Sequence, residues 1–101
     1  MPAVARVGVD IISTGHPCDA TAGIAGQLQN KVFVNGYPAA VRGDAIQTHA
    51  ILVGDVCVPH GASINAGSSK VFAMGIPIAR IGDSADQGTV ITGASDVFAG
   101  G

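Results

Sequence analysis

Three histidines and two cysteines give this 101-residue chain its strongest coordination chemistry, and they fall in two short stretches. The first is Gly15-His16-Pro17-Cys18. The second begins Gly43-Asp44-Ala45-Ile46-Gln47-Thr48-His49 and continues through Gly54-Asp55-Val56-Cys57-Val58-Pro59-His60-Gly61. Three imidazoles and one thiolate, from His16, His49, His60 and Cys57, make a four-donor set that suits a closed, tetrahedral, structural zinc site. Iron is the second candidate, because neither nitrogen nor sulfur donors exclude it. Other chemistry competes for the same residues. Cys57 and His60 could be the nucleophile and base of a hydrolase, or a zinc ion its Lewis acid. Covalent catalysis also needs a positioned base and usually a third, orienting group. Asp55 lies two residues from Cys57, a common accident in a loop. A catalytic zinc needs an open coordination position, which three histidines and a cysteine do not leave. No nucleophile elbow, phosphate loop or dinucleotide fingerprint occurs in the chain. The chain therefore reads as a non-enzyme. Cys18 and Cys57 could instead pair as a disulfide, and spacing does not choose between these uses.

The elements that must position these side chains come as an internal repeat. Residues 31–44 read KVFVNGYPAAVRGD and residues 70–83 read KVFAMGIPIARIGD, a gapless match at an offset of 39. A third, partial copy closes the chain as Ser95-Asp96-Val97-Phe98-Ala99-Gly100, and Arg6-Val7-Gly8-Val9-Asp10 is a degenerate form of the Arg-x-Gly-Asp ending. Val32-Phe33-Val34 and Val71-Phe72-Ala73 are strand formers. Asn35-Gly36 is a strong two-residue hairpin signal because both positions tolerate φ > 0, and Met74-Gly75 is a weaker version. The proline two residues after each turn fits the start or edge of a return strand. Each unit is thus a hairpin, and the stretches between Gly-Asp and the next Val-Phe read as loops that carry all the histidines and cysteines. If the repeats wrap around one axis, those loops converge at one end and bring His16, His49, Cys57 and His60 together.

Bulk composition narrows the functional classes. A chain of this length holds one core, here a single domain over residues 1–101. Hydrophobic residues make up 48% and charged residues 12%, which excludes disorder driven by charge. The five basic residues are scattered through a chain of net charge −2, so no stripe exists to bind nucleic acid. All acidic residues are Asp, which favours turns over helices, and glycines number 15. The N-terminus lacks a signal-peptide layout, and no apolar run approaches the roughly 20 residues of a membrane-spanning helix. A core of Ala, Val and Ile buries little area per residue, so a metal or a partner surface is expected to help hold it.

Pro38-Ala39-Ala40-Val41-Arg42-Gly43-Asp44 and Pro77-Ile78-Ala79-Arg80-Ile81-Gly82-Asp83 resemble the proline-alanine-alanine-arginine signature of PAAR-repeat proteins. The Gly-His of the first loop, the Gly-Asp-x4-His of the second, the Cys-x-x-His-Gly and the Ser-x-x-Val-Phe strand starts extend the resemblance along nearly the whole chain. The resemblance implies an all-β cone of three repeats with pseudo-threefold symmetry and a metal-pinned apex. It implies a tip that caps and sharpens the trimeric spike of a type VI secretion system or contractile phage tail for membrane puncture. Such a tip is a monomer alone, binds one per spike trimer, is made in the cytoplasm, and is delivered within the injection apparatus or virion. The competing reading is a small metal-binding β-repeat interaction module.

The family's zinc is held by three His and one Cys, and His16, His49 and His60 match the histidines. In many members the third repeat supplies the Cys, and here Gln87 stands at that place, a poor zinc ligand. Cys57 is the expected substitute, with Cys18 in reserve. The signature arginine is also displaced by one residue between the two full copies, at Arg42 in residues 31–44.

Overall fold

A computed structural model describes residues 1–101. The chain is all-β, with ten strands and no helix, so none of its helices could cross a membrane. Both hairpins expected from turn chemistry are present. Strand β3 (Phe33–Val34) pairs antiparallel with β4 (Tyr37–Pro38), and β7 (Phe72–Ala73) with β8 (Ile76–Pro77). Their turns carry positive φ at both central residues, 55° and 83° at Asn35-Gly36 and 51° and 79° at Met74-Gly75. This is the geometry that matches the right-handed twist of the flanking strands. Met74 adopts it without the side chain that usually eases it.

The partial third copy is completed by the other end of the chain. Phe98 pairs antiparallel with Ala3, as Phe33 pairs with Pro38 and Phe72 with Pro77. The strand starts are pinned locally. The Gln29 side-chain oxygen accepts from the backbone N–H of Lys31 and Val32, and the Ser68 hydroxyl accepts from Lys70 and Val71. Two different side chains thus solve the same problem at matching positions of the repeat.

The three copies meet at alanines. The Ala5 N–H donates to the Ala79 carbonyl (3.0 Å), Ala79 to Ala40 (2.8 Å), and Ala40 back to Ala5 (2.9 Å), a closed ring of backbone hydrogen bonds. All three alanines are fully buried, and three converging backbones leave room for little more than a methyl group. The bridges around the ring, Val4 with Arg80, Arg6 with Ala39 and Val41 with Ile78, follow the same cyclic order.

From this ring three further hairpins extend: β1 (Ile11–Ser13) with β2 (Thr21–Gly23), β5 (Ala45–Val53) with β6 (Val56–Ser63), and β9 (Ser84–Ala85) with β10 (Gly88–Thr89). They too are linked cyclically, through Ile24–Ile46, Ile64–Ala85 and Val90–Ile12. One core group, centred on Ile12, Ile24, Ile46, Ile64 and Val90, lies under these three hairpins. A second, including Val4, Val34, Ala73, Ile78 and Ala99, lies under the short Val-Phe hairpins.

One sequence expectation is corrected here. The stretch after Gly43-Asp44 is not a loop: it forms the two longest strands, and His49, Cys57 and His60 lie within them. The β-branched Ile51, Val53, Val56 and Val58 within these stretches account for this. His16 and Cys18 do lie outside strands, in the β1–β2 connection.

Candidate metal centre

His49 and His60 are delivered as a directly opposed cross-strand pair of β5 and β6. A register shift between Ile46 and His49 precedes the pair, and such a bulge re-aims the side chains that follow it. His16 comes from the first hairpin, where its backbone N–H donates to the Thr14 hydroxyl. The three imidazole rings sit 5.2–5.8 Å apart, centre to centre.

The fourth member is Asp86, at the turn between β9 and β10 with φ of 53°, a conformation that Asp and Asn tolerate better than most residues. Its carboxylate lies 2.7 Å from His49 Nε2, 3.0 Å from His16 Nε2 and 3.3 Å from His60 Nε2. The four donor atoms of His16, His49, His60 and Asp86 all lie within 4.8 Å of one another. Close backbone approach places Asp86 there: a Cβ on Gly88 would stand 1.9 Å from the Ser13 carbonyl oxygen, so only glycine lets the third hairpin dock on the first.

The hydrogen bonding asks for a cation at this point. His49 Nδ1 is 2.8 Å from the Gln47 carbonyl, which can only accept, so the ring proton belongs on Nδ1. A neutral His49 then turns the Nε2 lone pair toward a carboxylate oxygen. The repulsion is relieved either by a second proton or by a metal ion. His16 Nε2 is buried and, despite its nearness to Asp86, makes no hydrogen bond. A carbonyl that fixes the tautomer of a ligating histidine is also the usual outer partner at metal sites. Burial opposes charge on both His49 and Asp86. On His49 the contacts to Gln47 and Asp86 outweigh burial and raise the pKa. On Asp86 the contacts from His49, His16 and His60 outweigh it and lower the pKa. Three nitrogens and one carboxylate oxygen therefore fit a divalent ion. The His60 side chain is 31% exposed against 3% for His49, so the group opens to solvent on the His60 side.

Of the four residues expected from sequence, the structure brings three together. Cys57 is not among them: its sulfur is bonded to that of Cys18, which removes the thiolate, and the reserve candidate is consumed in the same bond. A strand alternates its side chains between faces, so Cys57 and His60, three residues apart in β6, point to opposite sides. The Cys-x-x-His pair would chelate from a loop but not from a strand. The sequence does not single out Asp86, although it immediately precedes Gln87, which stands at the place of the family's cysteine. The available signal was a carboxylate at the first position of a two-residue turn in the third repeat.

Comparison with known families gives a match between residues 29–93 and the PAAR motif. The chain is a PAAR-motif protein. PAAR proteins are structural spike-tip components of secretion and phage machinery. No curated protein matches the chain. The signature arginine can now be placed. Arg80 grips Asp83 through Nε (3.1 Å) and Nη2 (3.0 Å), and reaches the carbonyls of Ala99 and Gly100. Arg6 grips Asp10 in the same way. In the middle copy the matching residue is Val41, Arg42 points into solvent, and buried Asp44 accepts only the backbone N–H of Val41 and Leu28.

Proposed function

We propose that this PAAR protein is the tip that caps a trimeric spike, one chain per trimer, and sharpens it for membrane puncture by a contractile injection machine. It would be made in the cytoplasm and carried within the apparatus. The observation that carries the proposal is the cyclic ring of Ala5, Ala40 and Ala79, through which one polypeptide presents three matching backbone units. A chain with three like units can meet three identical subunits at once.

The exposed aromatics support the same role. Phe33, Phe72 and Phe98 occupy corresponding positions of the three units and are 53%, 51% and 50% exposed. Three half-exposed phenylalanines on the short hairpins form an apolar set suited to the end of a three-chain β structure, whose open strand edges the tip would cover.

At the other set of hairpins, His16, His49, His60 and Asp86 would hold one structural zinc ion, with iron as the alternative. The ion would add a side-chain cross-link between three hairpins already joined by the cyclic bridges Ile24–Ile46, Ile64–Ala85 and Val90–Ile12. The residues of the chain do the remaining work: Gln47 fixes the His49 tautomer and Gly88 admits the hairpin that bears Asp86.

The decisive experiment is stoichiometry. Mixed with a cognate trimeric spike, the chain should bind one per trimer by light scattering, and replacing Phe33, Phe72 and Phe98 with Ser should abolish binding while metal content stays at one ion per chain. Binding of three copies per trimer would overturn the proposal.

A further inference from the structure

We propose that the Cys18–Cys57 disulfide is a redox-operated clamp on the metal group, positioning His16 against His49 and His60 so that reduction loosens the site. This rests on the metal-centre reading above and adds its regulation.

The need for a clamp follows from how the ligands are delivered. His49 and His60 are cross-strand neighbours held by one hairpin, and the His49 ring is fixed again by the Gln47 carbonyl. His16 has no such support. It stands in the connection between two three-residue strands, its backbone bonded only to Thr14 nearby, and its ring meets only Asp86, another member of the group, at 3.0 Å from Nε2. What fixes this connection to the β5–β6 hairpin is a pair of links just beyond His16. One is the bond from Cys18 to Cys57, with a Cα–Cα distance of 6.0 Å. The other is the Ala50 N–H donating to the Asp19 carboxylate at 2.7 Å.

Because Cys57 and His60 face opposite sides of β6, the segment from His16 to Cys18 takes hold of that strand from both: an imidazole on one side, a disulfide on the other. Both cross-links join the same two hairpins within a few residues, so each lowers the entropic cost of forming the other. Cys57 is exposed and Cys18 only partly covered, which leaves the bond open to attack. A dithiol thiolate attacks one sulfur, the S–S bond breaks with formation of a mixed disulfide, and the second thiol of the reagent resolves it. Two electrons and two protons pass to Cys18 and Cys57, and the dithiol leaves as its own disulfide. A reducing compartment thus favours the loose site and an oxidising one the closed site.

The test is metal affinity in the oxidised protein, in the dithiol-reduced protein freed of reagent, and in the Cys18→Ser/Cys57→Ser double variant, by competition with a chromogenic chelator using zinc and cobalt(II). The expected result is a loss of about 10- to 100-fold in both altered forms, the range found when groups that orient metal ligands are removed. By linkage, the metal-loaded disulfide should resist reduction by the same factor. Hydrogen exchange at Ala5, Ala40 and Ala79 should remain protected in the metal-free variant. Equal affinity in all three forms would overturn the clamp and leave the metal centre standing. Absence of binding even in the oxidised protein would overturn both. A thiolate-to-cobalt charge-transfer band with undiminished affinity in the reduced form would overturn the clamp in favour of a cysteine ligand. Global loss of exchange protection in the double variant would make the bond a general staple and overturn its role at the site.

Discussion

The alanine ring and the histidine group both tie three segments of one chain together, by opposite means. The ring uses only backbone N–H and C=O groups, each copy giving one and taking one, and asks nothing of the side chains except smallness. The metal group uses only side chains, and the copies contribute unequally: one histidine from the first hairpin, two from the second, a carboxylate from the third. A junction made of backbone can repeat, because every residue carries the same groups. A junction made of donors around a point need only supply the right total.

Metal removal separates the two junctions most strongly. An ion held at 1,000 times its dissociation constant stabilises by about 4 kcal/mol. At about 4–8 °C per kcal/mol for a domain of this size, stripping it with a chelator should lower the melting temperature by roughly 16–32 °C. Exchange protection should be lost first at Asp86 and His16 and last at the alanine ring. Asp86→Ala probes the metal group alone: zinc affinity should fall at least about 100-fold by chelator competition, while the metal-free melting temperature changes little. Ala40→Leu probes the ring alone. Overpacking a filled site costs about 1–3 kcal/mol, so urea unfolding should shift accordingly, with metal stoichiometry unchanged.

Smaller effects test the corners beside the ring. Arg80→Ala leaves the Ala99 carbonyl without its donor and strips the guanidinium from Asp83 and Gly100, which keep only the residue-80 backbone N–H and the Ser68 hydroxyl, at a cost of about 1–3 kcal/mol by urea unfolding. Arg42→Ala, at an exposed side chain, should stay within about 0.5 kcal/mol by the same measurement. The least visible effect is in pH. Burial raises the Asp44 pKa against the pull of its two backbone hydrogen bonds, from Val41 and Leu28. A carboxyl whose folded pKa is raised contributes stability that is present below its ordinary pKa and lost as pH climbs through the raised value. An NMR titration of the metal-loaded protein should therefore find Asp44 titrating above the ordinary Asp value.

The same contrast explains what could be read in advance. Asn35-Gly36, the paired Val-Phe strands and the Gly-Asp endings announced the hairpins because turn and strand preferences act over a few residues. The offset of 39 exposed the repeat because the ring imposes the same demand on each copy. Three of the four clustered donors were legible as the three histidines of the chain. The fourth was not, because a carboxylate in a chain with seven acidic residues carries no mark of its use, and Asp86 owes its place to the contact between Gly88 and Ser13. Cys57 misled because its relation to His60 changes sign between a loop and a strand, and the length of β5 and β6 decides which applies. The split third hairpin was half visible: Val97-Phe98 was recognised, but its partner Ala3 lies at the far end of the sequence.

That split hairpin makes the polypeptide equivalent to a circle opened at one of three similar turns. Met1 and Gly100 come within reach of each other beside the pairing of Ala3 with Phe98. A gene rearranged to join the present ends through a short linker, and to begin instead at Gly36, would describe the same closed ring. Order along the sequence is then bookkeeping for this molecule: the fold records which segments are neighbours around the axis, and not which of them came first.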